Sequence, residues 1–156
     1  MPTVGLVGKN AGEMARVLSS VCEAAGHRVG DMTDASHAWD TPVNVLVAHD
    51  FSPTLPDSVA ALTSDDYLIL NADKKEIFPC LARNNAKLIT YGFNAKSCVT
   101  ASSVTDGGVQ VCIQRGFAGL DGMTHEPQEF HTAIPPGASV TEVLGVAAAC
   151  AVCGVF

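Results

Sequence analysis

Short runs rich in apolar residues recur along the first half of the chain and predict its strands. They are Thr3–Val7, Val43–Ala48 and Tyr67–Leu70, and two further strands are expected at His27–Met32 and Lys87–Tyr91. Apolar runs of this length, separated by turns, are typical of strands buried on both faces of a parallel sheet.

Positions at helical spacing predict the connecting helices. The first helix follows the turn Gly8–Gly12 and ends at Gly26, where a glycine can adopt the left-handed conformation. Shorter helices are expected over Asp57–Leu62 and Lys75–Asn85, the latter with an apolar face formed by Ile77, Phe78, Leu81 and Ala82. The polar segment Thr33–Pro42 predicts a loop.

The second half of the chain shows neighbouring strands instead of alternating strands and helices. Asp106-Gly107-Gly108 between two β-rich runs predicts a hairpin, and Glu126–Ile134 predicts one more strand. After Pro135-Pro136-Gly137, Val140–Cys153 predicts a long apolar helix. We therefore expect one α/β domain over residues 1–156. Its three-layer, Rossmann-like sheet has parallel strands followed by antiparallel strands and a closing helix.

Composition narrows the classes of function. The net charge of −7 disfavours binding to nucleic acid or to an anionic membrane surface, since both repel an acidic protein. No apolar run is long enough to span a bilayer and the N-terminus lacks a basic leader, so we expect a cytoplasmic chain. The six cysteines lie in apolar segments. We favour core packing for them, including Cys150-x-x-Cys153, over a redox or metal pair.

The turn Gly8-Lys9-Asn10-Ala11-Gly12 lies between the first strand and the first helix, where α/β proteins commonly bind phosphates through backbone N–H groups. A Walker-type loop needs Lys followed by Ser or Thr at the start of the helix, and this chain has Gly12 and Glu13 instead. We expect the Glu13 carboxylate to lie where a phosphate would bind and to repel it, while stabilising the helix dipole. The favoured interpretation is a helix start without a ligand.

A dinucleotide site is a second interpretation of the same turn. It rests on the loose pattern Gly5-x-x-Gly8-x-x-Ala11 and on Asp31, about 20 residues further on, where such sites carry a ribose-binding acid. His49-Asp50, at the carboxyl end of another predicted strand, is either part of a ligand site or a loop pair that hydrogen-bonds to the backbone.

The stretch Tyr67–Val104 resembles the second half of the central, ATP-binding domain of the Mur ligases. These are cytoplasmic enzymes that add amino acids to UDP-N-acetylmuramic acid in peptidoglycan synthesis. Asn71-Ala72-Asp73 is similar to the family's Asn-x-Asp-Asp strand end, and Tyr91-Gly92 is similar to its Tyr-Gly turn. Pro136-Gly137 and the Ala-rich closing helix resemble the family's last elements, and Val7–Glu13 occupies the place of its Thr-Gly-Thr-Asn-Gly-Lys-Thr loop.

The departures from that family define the expected function. Only Gly8 and Asn10 of the family's phosphate loop are matched, its acidic Mg²⁺-binding strand end is not found, and neither flanking ligase domain is present in the sequence. We expect a stand-alone, non-catalytic Mur-ligase-like domain with a degenerate phosphate loop. It would act as a binding or assembly module linked to peptidoglycan metabolism. The alternative is an enzyme or sensor that binds ATP or NAD at the Gly5–Gly12 turn.

The candidate nucleotide-binding residues are Gly8, Lys9, Asn10, Gly12, Asn71 and Asp73. Asn71 matches a family position that lies by the adenine, and the alternative is a strand-end Asn that caps the following turn. No catalytic residue or metal ligand is assigned, and ATP or another nucleotide is the cofactor class considered. The expected partners are another protein or a second copy of the chain, because a homo-oligomer would cover the apolar closing helix.

Overall fold

An eight-stranded sheet runs through the middle of the molecule in the computed structural model, which describes residues 2–33 and 42–155. Its strands, in chain order, are β1 (Thr3–Val7), β2 (Arg28–Asp31), β3 (Val45–Ala48), β4 (Tyr67–Asn71), β5 (Lys87–Tyr91), β6 (Val99–Val104), β7 (Gly108–Ile113) and β10 (Gln128–Ala133). A separate ladder pairs β8 (Phe117–Ala118) with β9 (Thr124–His125). The order in the large sheet is β10-β7-β6-β5-β4-β3-β1-β2.

The predicted change from parallel to antiparallel pairing is confirmed. The strands from β2 across to β6 pair in parallel, whereas β6 with β7 and β7 with β10 pair antiparallel. The hairpin between β6 and β7 lies where Asp106-Gly107-Gly108 predicts it.

Helices cover both faces of the sheet and make the three predicted layers. On one face, α1 (Ala11–Cys22) and α3 (Val140–Cys153) share a core with Val4, Leu6 and Val47. On the other face, α2 (Leu55–Ala60) and the 3₁₀ helix Lys75–Arg83 pack on a core that includes Val7, Leu46 and Leu68. Adjacent strand residues therefore belong to opposite cores, which explains why both faces of these strands are apolar.

The closing helix α3 is covered within the chain. Ten of its residues are buried, including Leu144, Ala148 and Val152, because the sheet and α1 surround it. Most of the apolar surface of α3 is therefore buried without a second copy of the chain, and self-association stays a prediction.

The helices α1 and α3 run side by side in the same direction. Asn10, just before α1, lies beside Glu142 in the first turn of α3, and Met14 lies beside Gly145 one turn further along. A Cβ at Gly145 would come within 2.8 Å of Met14 Cε and 2.9 Å of Tyr91 Cζ, so this approach requires glycine. The two positive helix ends consequently lie together at one edge of the sheet.

One sequence prediction, the apolar face of the helix at Lys75–Asn85, is wrong, and another lies mostly outside the described residues. The segment Lys75–Arg83 is a 3₁₀ helix that contains Pro79, and it buries Ile77 and Cys80 while Phe78 is 40% exposed. The predicted apolar face is therefore wrong, because a 3₁₀ helix repeats every three residues and Pro79 lacks an N–H donor.

Of the predicted loop Thr33–Pro42, residues 34–41 lie outside the described residues. In the described ranges no helix combines the length and apolarity needed to cross a bilayer.

We predict that Gly145→Ala lowers the free energy of unfolding by about 1–2 kcal/mol. Overpacking against the buried Tyr91 ring costs about 1–3 kcal/mol, which outweighs the ~1 kcal/mol that alanine contributes to helix propensity. Urea denaturation followed by circular dichroism measures the difference. Gly107→Ala is the matched control, since a Cβ there meets nothing within 4 Å. A Gly145→Ala chain more stable than the wild type would contradict the packing described here.

Candidate functional site

The carboxyl ends of β1, β3 and β4 meet at one edge of the sheet. There β2 and β3 pair with opposite sides of β1, which makes this edge the topological switch point where open α/β sheets bind ligands. A crevice of about 320 Å³ lies at this edge. This carboxyl-edge crevice is lined by Lys9, Asn10, His49, Asp50, Asn71, Asp73, Lys74, Ser139, Thr141 and Glu142.

The structure brings four of the six candidate residues together in this crevice. Lys9 and Asn10 come from the turn after β1, and Asn71 and Asp73 come from the end of β4. Gly8 and Gly12 do not line it. Whether any of the six binds a nucleotide stays a prediction.

Groups of the chain itself occupy the surroundings of Gly8. A Cβ at Gly8 would lie 2.4 Å from the Asp50 backbone N, so the turn after β1 packs directly on the turn after β3. The Gly8 N–H donates to Thr33 Oγ1 at 3.0 Å. This amide, which a phosphate loop would direct at its ligand, therefore already has a partner.

Gly12 faces the end of β2 rather than the crevice. The nearest atom to a Cβ at Gly12 would be Asp31 Oδ2, at 3.5 Å. The other carboxylate oxygen, Asp31 Oδ1, accepts hydrogen bonds from the Thr33 N–H and hydroxyl. An acid thus lies beside the start of α1, at the position where dinucleotide sites carry their ribose-binding acid.

The prediction that the Glu13 carboxylate lies where a phosphate would bind is wrong. The Glu13 side chain is exposed and pairs with Arg16 at 3.0 Å, on the side of α1 that faces away from the crevice. The carboxylate at the crevice belongs to Glu142, which is 8% exposed. Glu13 lies in the first turn of α1, but its side chain is on the side of the helix that carries Arg16 and lines the apolar groove, away from the crevice.

Glu142 is held in place by both helix starts. Ser139 and Glu142 form a capping box at α3, in which Ser139 Oγ accepts from the Glu142 N–H and Glu142 Oε1 accepts from the Ser139 N–H. The same Oε1 accepts a long, 3.5 Å hydrogen bond from Asn10 Nδ2. A buried negative charge therefore lies beside the N-terminus of α1, where a bound phosphate would otherwise be stabilised.

Asn71 and Asp73 hold neighbouring turns together. Asn71 Nδ2 donates to the His49 carbonyl at 3.0 Å, and Asn71 Oδ1 accepts from the Asp73 N–H. The Asp73 carboxylate accepts from the N–H groups of Phe93 and Asn94, at 2.7 and 3.1 Å. Both side chains already have hydrogen-bond partners in the chain.

The charges of the crevice are mixed and slightly negative. Lys9 and Lys74 face the carboxylates of Asp50, Asp73 and Glu142, and Lys74 Nζ lies 3.7 Å from Asp50 Oδ2. Across residues 2–33 and 42–155, no group of three or more His, Cys, Asp or Glu side chains is arranged to hold a metal ion. This balance suits a polar or zwitterionic ligand better than a triphosphate.

His49 lines the crevice, and the fully buried Tyr91 lies behind it. His49 Nδ1 and Tyr91 Oη are 2.6 Å apart, and the two rings are stacked. Burial lowers the pKa of His49 below its usual value, against the opposite effect of the Glu142 and Asp50 carboxylates. Burial also raises the pKa of Tyr91 well above its usual value, so a protonated tyrosine faces a neutral histidine, and the tautomer of His49 decides which of the two donates.

An apolar groove runs along the outer side of α3, against α1. This α1–α3 groove has a volume of about 540 Å³ and is bounded by α1, α3, β10 and the Pro135-Pro136 turn. Val17, Val21 and Val146 contribute apolar surface, and Cys150 lies in its wall.

Sequence reasoning identified His49-Asp50 but missed the partners that the fold brings to them. Lys74, Thr141 and Glu142 in the crevice, and Tyr91 behind His49, come from distant segments. The spacing Ser139-x-x-Glu142 before an apolar run is a sequence pattern for a capping box and could have placed Glu142 at a helix start.

Comparison with known proteins identifies the fold. No protein-family model matches the sequence, and no curated protein shows significant similarity to it. The chain is similar to a structure of UDP-N-acetylmuramoylalanyl-D-glutamyl-2,6-diaminopimelate–D-alanyl-D-alanyl ligase from Acinetobacter baumannii. The TM-score is 0.69 at 9% identity, over 99% of this chain and 43% of that one. A crystal structure of MurF from Acinetobacter baumannii gives a TM-score of 0.69 at 10% identity, with the same coverage.

A structure of UDP-N-acetylmuramoyl-L-alanyl-D-glutamate–2,6-diaminopimelate ligase is also similar. Its TM-score is 0.58 at 11% identity, over 96% of this chain and 42% of that one. The chain therefore spans less than half the length of these ligases and has the fold of one part of them. The Mur-ligase-like fold predicted from the sequence is confirmed.

We predict that protonation of His49 destabilises the fold in mild acid. The folded-state pKa lies below the unfolded value of 6.5, so the unfolded chain binds the proton more readily. The contribution of His49 is complete above about pH 6.5. It falls toward lower pH by at most about 1.4 kcal/mol per unit, until the folded-state pKa is reached.

The test compares the pH dependence of urea unfolding in the wild type, His49→Asn and His131→Gln. The asparagine amide can donate to Tyr91 or accept from it but does not titrate, so the slope of the variant between about pH 7 and pH 5 should be smaller. The His131→Gln control changes an exposed histidine and should keep the wild-type slope. Equal slopes in wild type and His49→Asn would contradict the prediction.

Proposed function

We propose that this chain is a Mur-ligase-like domain that does not turn over ATP and acts as a binding or assembly module. The similar solved structures are ligases whose names specify UDP-N-acetylmuramoyl substrates. On that basis the proposal links the module to peptidoglycan metabolism and to the cytoplasm.

The observation that carries the proposal is the position of the Glu142 carboxylate beside the start of α1. Two unit charges about 4 Å apart repel by roughly 1–4 kcal/mol in surroundings between bulk water and a protein surface. A triphosphate at this helix start would meet Glu142 and, across the crevice, Asp50. The helix dipole, which normally attracts the phosphate, is already compensated by the chain's own acids.

The residues at the start of α1 support the same conclusion. Phosphoryl transfer depends on a Lys and a metal ion that neutralise the developing charge. The start of α1 carries Ala11, Gly12 and Glu13 in place of a Lys-Ser/Thr pair. Lys74 is close to Asp50, so its charge is partly neutralised.

One observation favours a second candidate function, binding of a dinucleotide such as NAD. Asp31 ends β2 and its Oδ2 faces Gly12, in the arrangement that recognises a ribose hydroxyl. A ribose contact needs no cation, so the acidic crevice does not exclude it. Titration with NAD separates the two candidates, because the first predicts no binding and the second predicts saturable heat.

We predict that the purified chain releases no phosphate from Mg·ATP above the buffer rate and gives no heat on titration with ATP or ADP. Changing the helix start should restore phosphate binding. The triple variant Gly12→Lys, Glu13→Thr and Glu142→Gln adds a positive charge at the start of α1 and removes two negative charges, the exposed carboxylate of Glu13 and the buried carboxylate of Glu142. A side chain fits at Gly12, where the nearest atom would be 3.5 Å away.

The expected result is ADP binding at least about tenfold tighter than that of the wild type, or a gain of ~1.4 kcal/mol. Glutamine at position 142 can still accept the capping hydrogen bond, so the fold should persist. The control replaces Glu142→Gln by Glu23→Gln, which removes an exposed charge beyond the other end of α1. ATP turnover by the wild type, or equal affinities in the Glu142→Gln and Glu23→Gln triple variants, would contradict the proposed role of Glu142.

Assembly is the second part of the proposal, and we predict self-association through the α1–α3 groove. Val21 is 42% exposed at this groove, so Val21→Lys adds a charge without disturbing the core. Sedimentation velocity over a concentration series should show association in the wild type and less in Val21→Lys. Leu88→Lys is the control, since Leu88 is 43% exposed on β5, outside the groove. A wild type that stays monomeric at the highest soluble concentration would contradict assembly with itself.

A further inference from the structure

The strand β10 forms one edge of the large sheet. It stands last in the strand order, and its six residues pair with β7 in one unbroken antiparallel register. Proteins commonly protect such an edge with a proline or a β-bulge, either of which prevents a further strand from pairing. Gln128–Ala133 contains no proline, and its pairing with β7 shows no bulge. The outer side of β10 therefore has the regular geometry that another strand needs.

The backbone groups on the outer side of β10 belong to alternate residues. The Ile134 N–H donates to the Gly107 carbonyl, so the even-numbered residues here direct their backbone groups at β7. Because these directions alternate along a strand, Glu129, His131 and Ala133 direct their N–H and C=O groups outward. Among residues 2–33 and 42–155, no backbone hydrogen bond pairs these outward groups with another strand.

The side chains of β10 alternate in the same way. Phe130 and Thr132 line the α1–α3 groove, whereas Glu129 and His131 lie on the opposite face of the sheet. Both of the latter are exposed, and the His131 ring lies over Gly108 of β7, where there is no side chain. An acid and an imidazole thus stand two residues apart on one face of an open edge.

Charge complementarity favours one register for the pairing of this edge with a second copy of itself. Identical antiparallel strands related by a two-fold axis pair about a single residue. With the axis at Phe130, Glu129 lies opposite His131 of the second copy, and His131 lies opposite Glu129 of that copy. The imidazole can donate to the carboxylate whether it is neutral or protonated. The outward backbone groups of these two residues then pair with each other.

The neighbouring registers are less favourable. An axis at Glu129 places two carboxylates opposite each other, and like charges directly opposite destabilise a sheet. An axis at His131 places two imidazoles opposite each other. Moving the axis by two residues in either direction from Phe130 sets Glu129 opposite Pro127 or Pro135, neither of which has an N–H to donate.

We propose that β10 is an interface through which two copies of this chain join their sheets, antiparallel and with the two-fold axis at Phe130. The proposal rests on the assembly part of the proposed function and specifies its surface and register. Because Phe130 and Thr132 line the α1–α3 groove, the second copy lies beside that groove.

The first test measures the dimer Kd by sedimentation equilibrium. His131→Glu sets a carboxylate opposite Glu129 in both halves of the interface, and it should raise the Kd at least about tenfold. Adding Glu129→Lys exchanges the two charges and should return the Kd to within about threefold of the wild-type value. Asn85→Glu is the control, since it adds the same charge at an exposed position outside β10 and should leave the Kd unchanged.

The second test determines the register by cross-linking. In the proposed dimer Gln128 lies opposite Thr132 of the second copy, at a pair without mutual backbone hydrogen bonds, where Cβ atoms are close enough for a disulfide. A mixture of Gln128→Cys and Thr132→Cys chains, oxidised and mapped by mass spectrometry, should contain the link between positions 128 and 132. Neither variant alone should link to itself through the new cysteine.

Comparison with Val21→Lys distinguishes this interface from assembly through the groove alone. A wild type that associates and is weakened by Val21→Lys, but neither responds to His131→Glu nor gives the mixed link, would overturn the β10 interface and leave assembly standing. A link formed by Thr132→Cys with itself would also overturn the register. A wild type that stays monomeric would overturn both. Weakening by His131→Glu, recovery on charge exchange and the mixed link together would support the β10 interface.

Discussion

One buried carboxylate, that of Glu142, lies between the starts of two parallel helices. Each helix start carries about half a positive charge, so two of them side by side repel each other. A negative charge between them stabilises both, by up to about 2 kcal/mol in partly buried geometries. In many α/β folds a bound phosphate supplies this charge, and here the chain supplies it.

Other polar side chains of the crevice are also paired with groups of the chain itself. Lys74 is close to Asp50, Asp73 accepts from two backbone N–H groups, and Asn71 bridges two turns. The polar groups at this edge of the sheet therefore have partners within the chain, and they hold the turns together at the switch point where open α/β sheets bind ligands. This separation of fold from chemistry is consistent with the general rule that function depends on the site rather than on the fold.

Elements set by local chemistry could be predicted from the sequence. The buried strands, the hairpin at Gly107-Gly108 and the bounds Val140–Cys153 of the closing helix all follow from composition and turn residues. The 3₁₀ helix at Lys75–Arg83 was predicted only as a helix, although Pro79 signals the break in regular hydrogen bonding.

Features that depend on the pairing of distant segments could not be predicted in this way. The acid beside the first helix was expected at Glu13, which is its neighbour in sequence, but the structure places Glu142 there. The partner of His49 is a tyrosine from another strand for the same reason.

The central claim is that the start of α1 is neutralised by the chain itself and therefore binds no nucleotide phosphate. Titration of ¹⁵N-labelled wild-type chain with Mg·ATP, followed through the backbone amides of Gly8 to Glu13, tests this most directly. The account predicts that these amide resonances do not move over the titration. Saturable shifts of Lys9, Asn10 and Gly12 would contradict it.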